Sequence, residues 1–418
     1  MSDLQRTFAK AKLASLPALP PESFEEEEDE TDEMPELAPG GDPDDSSSAS
    51  SASSTGTIRP LPAHNLFARP KGSSKPGKRS LDQLPWTSCF AQELYLESSS
   101  GSEDAVHHVY VTPPTATGPL FVTHHGAGSS GLSFAIFASE VRKLLPDAGV
   151  LSLDARGHGG TVITSRIPAE RNEGSEHRKP LDLSLETLSG DLIRSLGLTR
   201  SKLGWSEYPD LIFVGHSLGG AVVTDVAKKG VLGDRILGYA VLDVVEGSAM
   251  DALQSMQTYL STRPSGFPSI AAGIDWHLRS RTIRNTTSAR TSVPALLQQT
   301  LAPESPSNSW IWRTDLASTQ PFWEDWFTGL SKKFLEAKGG KLLLLAGTDR
   351  LDKELMIGQM QGKYQLQVFP EAGHFIHEDM PEKTATILVD FFRRNDRSAL
   401  VLPPKVGDLL KAQQQKQA

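Results

Sequence analysis

The sequence predicts an α/β fold: a mostly parallel sheet with helices on both faces and a cap inserted in the second half of the chain. Three observations predict it. Short, nearly continuous apolar runs alternate with stretches of helical periodicity, the pattern of strands covered on both faces by crossover helices. One such run, residues 211–214, passes through Gly215-His216-Ser217-Leu218-Gly219 straight into a helix-forming stretch at 221–229. Residues 247–330 then break the alternation over a length too great for an ordinary connection.

The elements follow in order. Residues 22–58 contain the run Glu25-Glu26-Glu27-Glu28-Asp29-Glu30, a Pro/Gly/Asp patch and a Ser/Ala tract. High charge with little hydrophobicity cannot offset ordering entropy, so residues 1–75 are expected to be a disordered acidic, serine-rich tail. The folded domain is expected over residues 76–400. Its first clear strand, 120–123, ends in His124-His125-Gly126-Ala127-Gly128, and helical spacing follows over 134–145. The strand 149–153 ends in Asp154-Ala155-Arg156-Gly157-His158-Gly159, where the Arg-Gly-His-Gly turn reads as structural. A helix at 185–196, the strand 211–214 and the strand 236–242, closed by Asp243, come next. The cap is expected over about 247–330. Strands at 341–346 and 366–369 and a closing helix at 380–394 complete the domain, and 401–418 is a polar, fraying tail.

Bulk properties narrow the class. The 418 residues carry 51 acidic and 42 basic side chains, a net charge of -9, which disfavours wholesale nucleic-acid binding. No apolar run approaches the roughly 18 residues that a membrane helix needs. The first twenty residues lack the apolar core and cleavage site of a secretory signal. A single cysteine, Cys89, excludes an internal disulfide framework and a cysteine-rich metal site. A soluble intracellular protein, in cytoplasm and/or nucleus and with no cofactor, is the economical expectation.

A serine on a tight turn between a buried strand and a helix is how the α/β-hydrolase fold presents a nucleophile. Ser217 needs a base to take its proton, and in this fold the chain order is serine, acid, histidine. His374, in Glu371-Ala372-Gly373-His374-Phe375 just past the last strand, is the candidate base; His277 lies in the cap and His377 reads as structural. For the acid, Asp243 and Asp349 both follow strands, and spacing does not separate them. An oxyanion needs backbone donors. Leu218 N–H would be one, and Ala127 or Gly128 in the glycine-rich turn would supply the other.

From Asp243 onward the chain resembles the protein phosphatase methylesterase family. The resemblance is carried by D-V-V-E-G-S-A-M-D-A-L-Q-S-M-Q (243–257), Arg263-Pro264, Ile274-Asp275-Trp276, Ile283-Arg284-Asn285 and Ser288-Ala289-Arg290. L-L-L-L-A-G-T-D-R-L-D-K (342–353), I-G-Q-M-Q-G-K (357–363), G-H-F-I-H-E-D (373–379), and the lead-in Lys78-Arg79-Ser80 with Pro85-Trp86 extend it. It covers roughly residues 75–395. It implies a serine hydrolase that demethylates the C-terminal leucine of the type 2A protein phosphatase catalytic subunit, with Ser217 as nucleophile, Asp243 as acid and His374 as base. One departure shows: the turn reads H-G-A-G where the family usually has H-G-G-G.

Two other functions are compatible with the fold: a small-molecule esterase or lipase, and a non-catalytic scaffold that binds the phosphatase. The cap motifs speak against the first and the complete Ser217, Asp243, His374 set against the second. The cap is also basic, with Arg263, Arg279, Arg281, Arg284, Arg290 and Arg313 against Asp251, Asp275 and Glu304. That pattern fits either a dock for an acidic partner or an ordinary solvated face.

Overall fold

The computed structural model describes residues 80–101, 103–115, 117–166, 181–300, 308–347 and 351–396. The expected tails, 1–75 and 401–418, lie outside them, as does Asp349. The strands in chain order begin with β1 (Gln92–Ser100), β2 (Glu103–Thr112), β3 (Leu120–His124), β4 (Gly149–Leu153), β5 (Val162–Ser165), β6 (Leu211–His216) and β7 (Ile236–Leu242). Three short strands, β8 (Gly266–Phe267), β9 (Leu297–Gln299) and β10 (Trp310–Trp312), form a sheet of their own before β11 (Gly340–Leu345) and β12 (Gln365–Val368) rejoin the large one. The large sheet has the order β1-β2-β4-β3-β6-β7-β11-β12, with β5 also on β2. From β3 to β12 every neighbouring pair is parallel. β4 lies on one side of β3 and β6 on the other, so the strand order reverses there. Beyond the carboxyl ends of strands at such a reversal, open α/β sheets bind their ligands.

The β1–β2 hairpin and β5 are antiparallel additions that the apolar-run pattern did not predict. β1 is rich in Glu and Ser and its residues are exposed or half-buried except Leu96, so it carries no continuous apolar signal.

The central strands show why consecutive apolar residues are needed. In β6, Leu211 and Phe213 pack into the core on one face of the sheet, while Ile212 and Val214 pack into the core on the other. β11 splits the same way, Leu343 and Leu345 to one side, Leu342 and Leu344 to the other. Each such side chain contributes roughly 1.5–3 kcal/mol by burial. Helices α1 (Ala135–Leu144), α2 (Leu185–Lys202) and α3 (Leu218–Lys229) connect the first parallel strands.

Between β7 and β11 run α4 (Glu246–Thr262), α5 (Ile270–Arg279), α6 (Thr286–Leu296), α7 (Trp323–Phe327) and α8 (Leu330–Glu336). The first helix, α4, packs Ala249 into the main core, whereas the middle of the insertion has its own small core of Phe267, Ile274, Ile283, Ala289, Val293 and Leu297. Its last part differs from the expected cap: Trp323, Trp326, Phe327, Leu330 and Phe334 pack into the main core. Their large apolar side chains find their burial against the sheet layer, where the Tyr239 hydroxyl also donates to Phe334 O at 2.5 Å. α9 (Lys353–Met360) links β11 to β12, and α10 (Ile376–Asp379) and α11 (Pro381–Asn395) close the described chain.

Candidate active site

Ser217 stands between β6 and α3 with φ 52° and ψ -119°, a backbone pose that costs a non-glycine residue about 1–3 kcal/mol. The surroundings hold it there. Its N–H donates to Leu242 O at 3.0 Å and its carbonyl accepts from Gly220 N–H at 2.8 Å. The flanking glycines are required by space. A Cβ on Gly215 would lie 2.1 Å from Gly219 O, and one on Gly219 would lie 2.1 Å from His124 O.

The loop between β12 and α10 brings His374 to the same end of the sheet. Its ring Nδ1 lies 2.8 Å from Asp243 Oδ2. Asp243 has φ 52°, its side chain is fully buried, and its other oxygen accepts the Ala346 N–H at 2.8 Å. With Nδ1–H donated to the carboxylate, His374 Nε2 is left as the basic atom. The His374 side chain is 45% exposed, so a substrate can reach it. The Ser217 hydroxyl makes no hydrogen bond among the described residues. The serine is tied to the other two through its neighbours: Leu242 O holds its N–H just before Asp243, and His216 Nε2–H donates to His374 O at 2.9 Å.

His216 is therefore a neutral donor. Burial, with His374 beside it, pushes its pKa down to about 3. The sequence offered no sign of this contact, because its partners are 158 residues apart.

The glycine-rich turn sits against the serine: a Cβ on Gly126 would lie 3.1 Å from Ser217 Cβ. Gly128 N–H is already donated to His158 Nε2 at 2.9 Å. His158 gives its own Nδ1–H to Arg156 O at 3.0 Å, which leaves Nε2 as the acceptor. Of the two donors expected from this turn, Gly128 is occupied and Ala127 makes no backbone hydrogen bond among the described residues. Leu218, first in α3, has no helical acceptor for its N–H. The Arg-Gly-His-Gly turn thus shapes the loop facing Ser217. Its Arg156 is itself paired with Asp191 at 2.5 and 3.1 Å.

Comparison with known proteins now bears on the site. Residues 120–387 match the model of the alpha/beta hydrolase family. Protein phosphatase methylesterase 1 of Aspergillus oryzae is 61% identical to the chain, covering 98% of it and 93% of that protein. Its namesake in Neurospora crassa is 62% identical over 85% of the chain and 84% of its own length. The chain belongs to the protein phosphatase methylesterase family. The fission yeast methylesterase (Schizosaccharomyces pombe) is 44% identical over 77% of the chain and 88% of its own length. Among solved structures, E-2-(acetamidomethylene)succinate hydrolase shares the fold, with a TM-score of 0.53 and 18% identity over 72% of this chain and 100% of that one. As a methylesterase-family protein the chain is an ester-cleaving hydrolase.

Most of the basic cap side chains have partners within the chain. Arg263 stacks on Trp312, Arg279 pairs with Asp275 at 2.8 Å, and Arg290 donates to Asp82 O. Arg313 donates to Ala295 O and Leu297 O, and Arg284 is bound to the His374 loop. Glu304 lies outside the described residues. Among the described residues no helix is long and apolar enough to cross a membrane, and no group of three metal-ligating side chains gathers.

Proposed function

We propose that the protein is a serine carboxylesterase that removes the methyl ester from the C-terminal leucine of the type 2A protein phosphatase catalytic subunit. His374 Nε2 takes the Ser217 proton as Oγ attacks the ester carbonyl, and Asp243 stabilises the imidazolium that forms. The oxyanion is received by the N–H groups of Leu218 and Ala127, each worth about 3–4 kcal/mol in the transition state. Methanol leaves with the proton from His374. Water, deprotonated by the same imidazole, then attacks the leucyl ester of Ser217; the acyl–Oγ bond breaks, Oγ takes the proton back from His374, and the carboxylate is freed. No step uses a metal or an organic cofactor.

The Asp243–His374 contact beside the Ser217 elbow carries the chemistry of this reading, and the names of the methylesterase relatives support a protein phosphatase as substrate. In the resting geometry the serine hydroxyl is not bonded to His374, and such bonds tighten in substrate complexes. The test is methanol release from carboxymethylated phosphatase, with short acyl esters in parallel. The wild type is expected to demethylate the phosphatase and Ser217→Ala to bind it without turnover. Efficient cleavage of short esters with no activity on the phosphatase would favour a general esterase instead.

A further inference from the structure

The loop that carries His374 is held by a clamp in which a buried carboxylate gathers two backbone N–H groups. Asp379 Oδ2 accepts from Gly373 N–H at 2.6 Å, and Asp379 Oδ1 accepts from Arg284 N–H at 2.7 Å. The Arg284 guanidinium continues the clamp: Nη1 donates to Glu371 O, and Nε lies 3.6 Å from Asp379 Oδ2. Together they close over Gly373, where an added Cβ would meet Asp379 Oδ2 at 3.1 Å and Arg284 Nε and Nη2 at 3.3 Å.

Resting on the catalytic roles proposed above, we infer that Asp379, locked by Arg284 from the inserted segment, is a positioning residue for the general base. The Gly373–His374 unit has three anchors. Its amide end is held by Asp379, its carbonyl end by His216, and the ring itself by Asp243. Loss of the first frees the peptide to swing about the other two. A displacement of about 1 Å in a catalytic group costs on the order of a hundredfold in rate. The Asp379 side chain is 1% exposed, and burying a carboxylate so deeply costs several kcal/mol unless its partners are well placed. A turn that only had to close would be served as well by a neutral side chain.

The experiment compares Asp379→Asn and Arg284→Ala with the wild type on carboxymethylated phosphatase, reading kcat, KM, melting temperature and the rate of Ser217 labelling by a fluorophosphonate. In Asp379→Asn one of the two N–H donors faces an amide NH2. The expected result is a fall in kcat and in labelling rate by the same factor, about tenfold or more, with KM changed less than about twofold and melting still above the assay temperature. If Asp379→Asn does not fold, Gly373→Ala displaces the clamp from the other side and is expected to show the same split. Wild-type kcat and labelling in a folded clamp variant, or a loss confined to KM or to melting, overturns the inference. Ser217→Ala and His374→Ala run alongside. Turnover surviving in either removes the catalytic reading itself, whereas two inactive controls beside fully active clamp variants sink only the positioning role.

Discussion

Two residues at the carboxyl edge of the sheet share a positive φ. Ser217 and Asp243 both have φ 52°, and both are held by hydrogen bonds to neighbouring strands. Asparagine tolerates that backbone region better than most residues. Asp243→Asn is therefore expected to fold while leaving His374 in the wrong tautomer, and kcat should drop by about three to four orders of magnitude. Steady-state kinetics beside a melting curve checks this; kcat within tenfold of wild type in a folded variant would remove Asp243 from the site. Gly219→Ala places its Cβ against His124 O, and is expected to cost more than about 2 kcal/mol and most of the activity. Thermal melting and initial rates read both effects. The serine turn was legible because the chemistry demands a unique local spacing of glycines. The aspartate that pairs with His374 was not, because Asp243 and Asp349 both follow predicted strands in the sequence and only a fold or a family resemblance distinguishes them. His158 and His216 were invisible as site residues, since their contacts span 30 and 158 residues.

At the scale of elements, α10 joins the His374 loop to α6 of the insertion. Ser288 Oγ donates to Glu378 O at 2.8 Å, and Ser292 Oγ lies 2.5 Å from Glu378 Oε2 and 3.0 Å from Ser288 O. Ser292 has one proton. Glu378 Oε2 and Ser288 O share that proton as acceptors, and burial, outweighing the Ser292 hydroxyl, pushes the Glu378 pKa up to about 8. Between about pH 4.5 and pH 8 the unfolded chain is ionised here while the native one keeps its proton. Stability should then fall by up to about 1.4 kcal/mol per pH unit as pH rises through that window. Glu378→Gln keeps a donor without the ionisation. Its melting temperature is expected to gain on the wild type steadily from pH 5 to 8; a constant difference would show that Glu378 does not titrate there. The parallel strands and the helices covering them were readable from apolar runs and 3.6-residue spacing. The hairpin β1–β2, β5 and the small sheet β8–β10 were not, because their strands are short or half-polar and take their stability from tertiary pairing.

Across the whole molecule, the fold buries neutral imidazoles. Burial lowers the pKa of His124, His125, His158, His216, His277 and His377, while His108, bonded to Asp154 and Glu93, is shifted upward. For the lowered group, protons bind the unfolded chain first, so stability is present above about pH 6.5 and lost as pH falls. His107 is lowered by burial as well, and His108 and Glu378, which act in the opposite sense, only partly offset these groups. Acid unfolding below about pH 6.5 is expected to take up several protons at once, which the pH dependence of the denaturant midpoint measures; a flat midpoint from pH 7 to pH 4.5 would refute it. The insertion belongs to this scale too. It touches the His374 loop through Arg284, Ser288 and Ser292, and the loop facing Ser217 through Leu316, 3.2 Å from where a Gly128 Cβ would stand. The most direct test of the central claim is covalent mapping with a fluorophosphonate and mass spectrometry of the digested protein. The account expects one adduct, on Ser217, formed far more slowly in His374→Ala and blocked by a peptide ending in leucine methyl ester; an adduct on another residue, or Ser217→Ala demethylating the phosphatase at the wild-type rate, would contradict it.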